Sequence, residues 1–229
     1  MTNRAGKSAK RRFHELRMAN LRREWRIWSA LLAVVPVALL LVVFFGRTGL
    51  GVAGWMLGFI TATVIFGWAI AFDVHALPWL WGSWGEEWTG EELAKLPSGW
   101  FVRHDVANGY GNWDHIAIGP SGVFMIETKR LSGQVIVTDD GLASGRMRLP
   151  GRAFRGASVG LREALVRHVP SCPWVQAVVA VWGDFPTEPL ERENVVYVNG
   201  GKLVDWLNSR PASLDNARRE ALGHAVHQL

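Results

Sequence analysis

The stretch DHIAIGPSGVFMIETKR, Asp114 to Arg130, sets two short apolar runs on either side of Gly-Pro-Ser-Gly. Glycine, proline and serine are turn formers, so the two runs are committed to an antiparallel strand pair. A pair this apolar belongs inside a domain. Yet Asp114 opens the first run, and Glu127 and Lys129 close the second, so three charges gather at one end.

The register decides what those charges do. With a two-residue loop, Gly119 stands opposite Gly122, Ile118 opposite Val123, Ile116 opposite Met125 and Asp114 opposite Glu127. Directly opposed residues share a face with Cβ atoms about 4.5–5.5 Å apart, and Lys129, two residues on, shares it too. Carboxylates that close repel unless one is protonated or a cation lies between them. A divalent metal with oxygen ligands resolves the conflict. Against this, proline at the first turn position suits a type I turn with a bulge at Gly122. That register slips by one residue and sets Asp114 opposite Thr128. A solvated rim, with a Glu–Lys pair worth little, is the third reading.

Around the hairpin, pattern predicts an α/β domain. A helix is expected over 83–96, stopped by Pro97-Ser98-Gly99. Strands are expected over 100–106, 113–118, 123–128, 134–138, 175–182 and 195–198, and helices over 159–169, 202–208 and 213–226. The order implies a sheet covered on both faces. Arg146, Arg148, Arg152 and Arg155 fall in a basic, glycine-dotted stretch that either tracks a phosphate backbone or is a solvated loop. His115 alternates away from Asp114, His75, His104 and His168 lack partners at metal-ligand spacing, and Trp174 and Trp182 read as core. The single cysteine, Cys172, excludes an intrachain disulfide and a cysteine zinc site.

Charge and hydropathy divide the chain. Residues 1–26 carry nine Lys/Arg against two Glu, a net +7, whereas 73–229 carry fifteen basic and eighteen acidic residues, a net −3. Between them lie two uncharged runs, 27–45 and 50–72. Each has the roughly 20 apolar residues that cross a bilayer. The expectation is a two-helix transmembrane hairpin (27–72) at the plasma membrane, flanked by Trp25, Trp28, Trp79, Trp81 and Trp84. The basic leader would lie on anionic lipid, with both termini and domain 73–229 cytoplasmic.

The segments GSWGEEWTGEELAKL, GWFVRHDV, NWDHIAIGPSGVFMIETKRLSGQV and VQAVVAVWG resemble the nuclease-related domain (NERD) family of the PD-(D/E)XK, restriction-endonuclease-like fold. The resemblance runs from about Gly82 to about Leu207 and implies an α-β-β-β-α-β core. It sets the family's G-x-x-G-E motif on Gly82, Gly85 and Glu86, its strand aspartate on Asp114, and its E-x-K on Glu127 and Lys129. The implied chemistry is Mg²⁺-dependent phosphodiester hydrolysis of DNA or RNA. Asp114, Glu127 and the carbonyl of Thr128 would hold the metal, Lys129 would orient the water, and Glu86 would bind a second metal or order the first. The alternative is a catalytically silent nucleic-acid- or protein-binding module of the same fold.

Overall fold

The computed structural model describes residues 5–23, 51–73, 77–109 and 111–229, together with residues 25, 29, 36, 40, 43, 44, 46 and 47. The chain divides into two compact units, one of residues 1–9 and 81–229 and one of residues 10–80.

The larger unit is built on a mixed sheet. Its elements are the helix α3 (Leu77–Leu93, which begins just before the unit), then β1 (Phe101–Ala107), β2 (Asn112–Gly119), β3 (Gly122–Thr138), β4 (Gly141–Ser144) and β5 (Met147–Pro150). After these come α4 (Gly151–Val166), β6 (Val175–Asp184), β7 (Leu190–Arg192), β8 (Val195–Asn199), α5 (Leu203–Ser209) and α6 (Asn216–Gln228). The sheet order is β1-β2-β3-β6-β8-β7, with β4 and β5 paired off the distal half of β3. β1, β2 and β3 are antiparallel, and β6 and β8 continue the sheet parallel to β3. The unit is thus mixed α/β, and between the three antiparallel strands and α4 the chain inserts two short strands, β4 and β5, that the expected core order does not contain.

Alternation along the strands builds two apolar layers. Ile116, Ile118, Met125, Ala177, Val179 and Val195 pack beneath Phe154, Leu161 and Leu165 of α4 and Leu222 and Val226 of α6. On the opposite face Ala117, Phe124, Ile126, Val178 and Ala180 meet Leu93 of α3 and Leu203, Trp206 and Leu207 of α5. A sheet buried on both faces reads as near-continuous apolar sequence, which is why β6 is VQAVVAVW.

Some boundaries differ from those expected. Helix α4 starts at Gly151 instead of 159, so Arg152 and Arg155 lie on a helix and not in a loop. Proline at 150 is the reason: it ends β5 and takes the capping position, where its missing N–H costs nothing. Trp174 is 51% exposed rather than core, because it precedes the first residue of β6.

The smaller unit contains most of helix α1 (Lys7–Arg23) and all of α2 (Gly51–Asp73). Among the described residues no helix is long and apolar enough to cross a membrane. That overturns the two-span hairpin and the multi-pass plasma-membrane localisation drawn from it. Most of the expected first span lies outside the described residues. Uninterrupted hydropathy did mark a helix here: α2, of 23 residues, covers almost all of the second uncharged run.

Candidate active site

The β2–β3 turn settles the register. Gly119 pairs with Gly122, Ile118 with Val123 and Ile116 with Met125, so the two-residue loop prevails over the slipped alternative. Gly122 takes φ 140°, a value open to glycine, and the bulge that proline favoured does not form. The ladder's last pair is His115 with Ile126. Continuing it by one residue brings Asp114 across from Glu127.

Beyond that pair, side chains replace the ladder. The Thr128 N–H donates to Asp114 Oδ2 at 2.8 Å, and Lys129 Nζ donates to Glu127 Oε1 at 2.6 Å. Residues two apart on a strand share a face, which is why Glu127 and Lys129 meet. N–H and C=O of one strand residue point to the same side, so the Thr128 carbonyl also points toward Asp114, past the end of the ladder. The ammonium lies 5.9 Å from the Phe154 ring centre on α4. Both side chains are largely screened, with 26% of Lys129 and 21% of Glu127 exposed.

Glu86 belongs to the same cluster. Helix α3 begins at Leu77, so Glu86 sits more than two turns inside it and gains nothing from the helix N-terminus. Burial first, then the charges of Asp105 and Glu127, push its carboxyl up to about 7, against a partial offset from Lys129 and a hydrogen bond from the Gly6 backbone. Asp114 is held well above the ordinary carboxylate range by burial, then by Glu127 and Glu86. Burial alone would lower Lys129, yet the surrounding carboxylates raise it.

Asp105 was not singled out by sequence. Its φ is 56°, uncommon for any residue but glycine and better tolerated by Asp than by most. Its carboxylate accepts from the Ser8 N–H at 2.8 Å and from Asn112 Nδ2. Its place follows from the β1–β2 register, which no local pattern in the sequence fixes: with His104 against His115 and Val106 against Trp113, Asp105 falls opposite Asp114.

On the reverse face, His104 and His115 are not isolated. Their Nδ1 atoms are 2.7 Å apart, and His115 Nε2 lies 3.2 Å from the Thr128 hydroxyl. Burial depresses both rings, His115 the more strongly, with His104 as its second cause.

Among the described residues no group of three or more His, Cys, Asp or Glu side chains surrounds a metal position. The available oxygen set is the two carboxylates and the Thr128 carbonyl. That set matches Mg²⁺, which takes one or two carboxylates and keeps several waters. Arg148, Arg152 and Arg155 line a separate cleft of about 650 Å³ with Asp140 and Glu193, where Arg155 pairs with Glu193 at 2.9 Å.

No curated protein and no solved structure matches this chain. Residues 81–180, which include Glu86, Asp114, Glu127 and Lys129, match the family described as nuclease-related domain (NERD), and this part of the chain is therefore similar to that family.

Proposed function

We propose that the larger unit carries a Mg²⁺-dependent phosphodiester hydrolase acting on DNA or RNA. The observation that supports it most is the crowding of Asp114 and Glu127 on one face beside Lys129, in an element order and a segment similar to nuclease-related domains. Burying acids together is costly, and a cation that binds between them removes the cost. When bound, the metal supplies polarisation of a phosphoryl oxygen and an acidified water. The chain's own groups do the rest. Thr128 N–H occupies Asp114 Oδ2 and Lys129 occupies Glu127 Oε1, which leaves Asp114 Oδ1 and Glu127 Oε2 for the metal. The Lys129 ammonium orients the attacking water and offsets negative charge as the phosphorus adds an oxygen. Glu86 orders that water shell from α3.

The test is cleavage of labelled DNA and RNA by the full-length protein, in Mg²⁺ and in EDTA, beside Lys129→Ala. Metal-dependent cleavage by the wild type alone is expected. Binding without cleavage under any condition would replace the hydrolase by a binding module of the same fold. Neither binding nor cleavage would end the nucleic-acid reading.

A further inference from the structure

Thr128 is engaged on both faces of the sheet. Its N–H holds Asp114, while its hydroxyl enters a chain of neutral groups beneath α3. The protons in that chain can be assigned by elimination. Trp182 Nε1 is a donor only and gives its proton to the Thr89 hydroxyl at 2.7 Å. Thr89 spends its own proton on the Gly85 carbonyl at 3.1 Å. The 2.9 Å contact between the two threonine hydroxyls is therefore donated by Thr128. With that proton spent, Thr128 accepts from His115, which fixes His115 as the Nε2–H tautomer. Its Nδ1 is then an acceptor, and His104 donates to it from Nδ1. Every bond in the chain has one donor and one acceptor.

The chain also ties α3 to the site. Thr89 lies three residues beyond Glu86, on the adjoining helical face. Gly85, one residue before Glu86, comes so close to β3 that a Cβ there would stand 3.1 Å from Arg130 Cβ and 3.2 Å from Thr128 Cγ2.

We propose that Thr128 and His115 are positioning residues for the carboxylate site: the hydroxyl chain locks the Thr128 rotamer and peptide plane, which in turn aims its N–H at Asp114 and its carbonyl at the metal position, and seats Glu86. The inference rests on the metal-site reading above. Rotating Thr128 to satisfy its N–H elsewhere would break the bonds to Thr89 and His115, so the two faces cannot rearrange independently. A core polar network that merely satisfied itself would have no reason to meet the site at a single residue.

The experiment uses the full-length protein with Thr128→Val, which keeps the branched shape and removes the hydroxyl, and Thr128→Ser as rescue. Three quantities are read: the histidine tautomers by ¹⁵N NMR, hydrogen exchange of the residue-128 amide in EDTA, and Mg²⁺ affinity by calorimetry. The wild type and Thr128→Ser are expected to show the His115 Nε2–H tautomer. Thr128→Val is expected to lose it, to speed amide exchange about tenfold and to weaken Mg²⁺ roughly tenfold, the usual scale for an outer partner of a metal ligand. Val178→Ala, a cavity in the same apolar layer away from the chain, controls for stability alone and should change neither exchange at 128 nor Mg²⁺ affinity. An Nδ1–H tautomer at His115 in the wild type overturns the proposal. So does a Thr128→Val protein with wild-type exchange and affinity. A wild type that ignores Mg²⁺ defeats the hydrolase reading instead. The positioning role would then stand or fall on amide exchange alone.

Discussion

Strands β2 and β3 carry a polar cluster on each face, and the two clusters are built on opposite principles. Beneath α3, His104, His115, Thr128, Thr89 and Trp182 form a chain in which all the bonds are neutral and matched. Facing α4, Asp114, Glu127 and Lys129, with Glu86 near them, set three carboxylates against one ammonium. Buried polar groups are tolerated when satisfied and costly when not. The neutral cluster is satisfied within itself, whereas the charged one has more carboxyls than its single ammonium can offset, so that Asp114 and Glu86 are pushed toward their neutral forms. Alternation of single residues along the same two strands produces both. The difference is what makes the charged cluster the candidate site, since groups perturbed in this way gather where a ligand binds.

The largest effect expected from that contrast is on catalysis. Lys129→Ala should lower cleavage by about 10²–10³-fold, on the order of 3–4 kcal/mol of transition-state stabilisation, while Mg²⁺ binding survives. Asp114→Asn should lose cleavage and the metal response together, yet leave the metal-free fold nearly as stable as before. The raised Asp114 carboxyl is already biased toward the neutral form that asparagine imitates. Single-turnover rates and Mg²⁺-dependent melting shifts measure both. If Asp114→Asn and Lys129→Ala behave alike in metal binding, the division of labour between carboxylate and ammonium is wrong.

The next effect is on stability against pH. Glu86 rises from 4.5 to about 7 on folding, so the unfolded chain releases this proton first. Its stabilising contribution is complete below pH 4.5 and is lost as pH climbs through about 7. The loss amounts to at most about 3 kcal/mol at 1.36 kcal/mol per pKa unit, shared with its coupled neighbours. Urea midpoints in EDTA should therefore fall from pH 5 to pH 8, and Glu86→Gln should flatten the trend. Saturating Mg²⁺ should flatten it too, by binding the folded, ionised site. A profile that rises over this window in EDTA would mean that the charged cluster is satisfied after all.

How much of this was legible beforehand varies with the range of the contact. The site triad was readable because strand alternation is local: once the Gly119–Gly122 register held, Asp114, Glu127 and Lys129 had to share a face. Turn chemistry alone pointed the other way, since Pro120 favours a type I turn, and packing of Ile116 and Ile118 on the α4 side overrode it. Asp105 and the pairing of His104 with His115 depend on a second register, β1 on β2, across a loop whose length pattern does not fix. The link from Thr89 to Thr128 joins residues 39 apart and had no periodic signal at all. Hydropathy misled for a different reason. It reports the transfer of a run of side chains out of water, whereas spanning a bilayer is a property of a whole helix, and among the described residues no helix is long and apolar enough.

The smallest effect compares two glycines one helical turn apart on α3. Alanine is favoured over glycine in a helix interior by about 0.8–1 kcal/mol. At Gly82 a new Cβ meets nothing within 4 Å, so Gly82→Ala should collect that gain in full. At Gly85 the same methyl stands 3.1 Å from Arg130 Cβ and 3.2 Å from Thr128 Cγ2. Neither neighbour yields easily. Arg130 Cβ is fixed by the β3 backbone, and Thr128 is held by hydroxyl bonds to Thr89 and His115. Helix α3 must therefore lift by a few tenths of an ångström, stretching the Thr89 bond and withdrawing Glu86 from the carboxylates. The packing loss should cancel the propensity gain or exceed it by up to about 1 kcal/mol, the low end of overpacking costs. The two substitutions should thus differ in sign or nearly so, although both make the same chemical change on the same helix. Denaturant midpoints of the pair give the answer directly. Equal stabilisation at both positions would show that α3 is not pinned to β3, and that the neutral cluster does not set the height of the charged one.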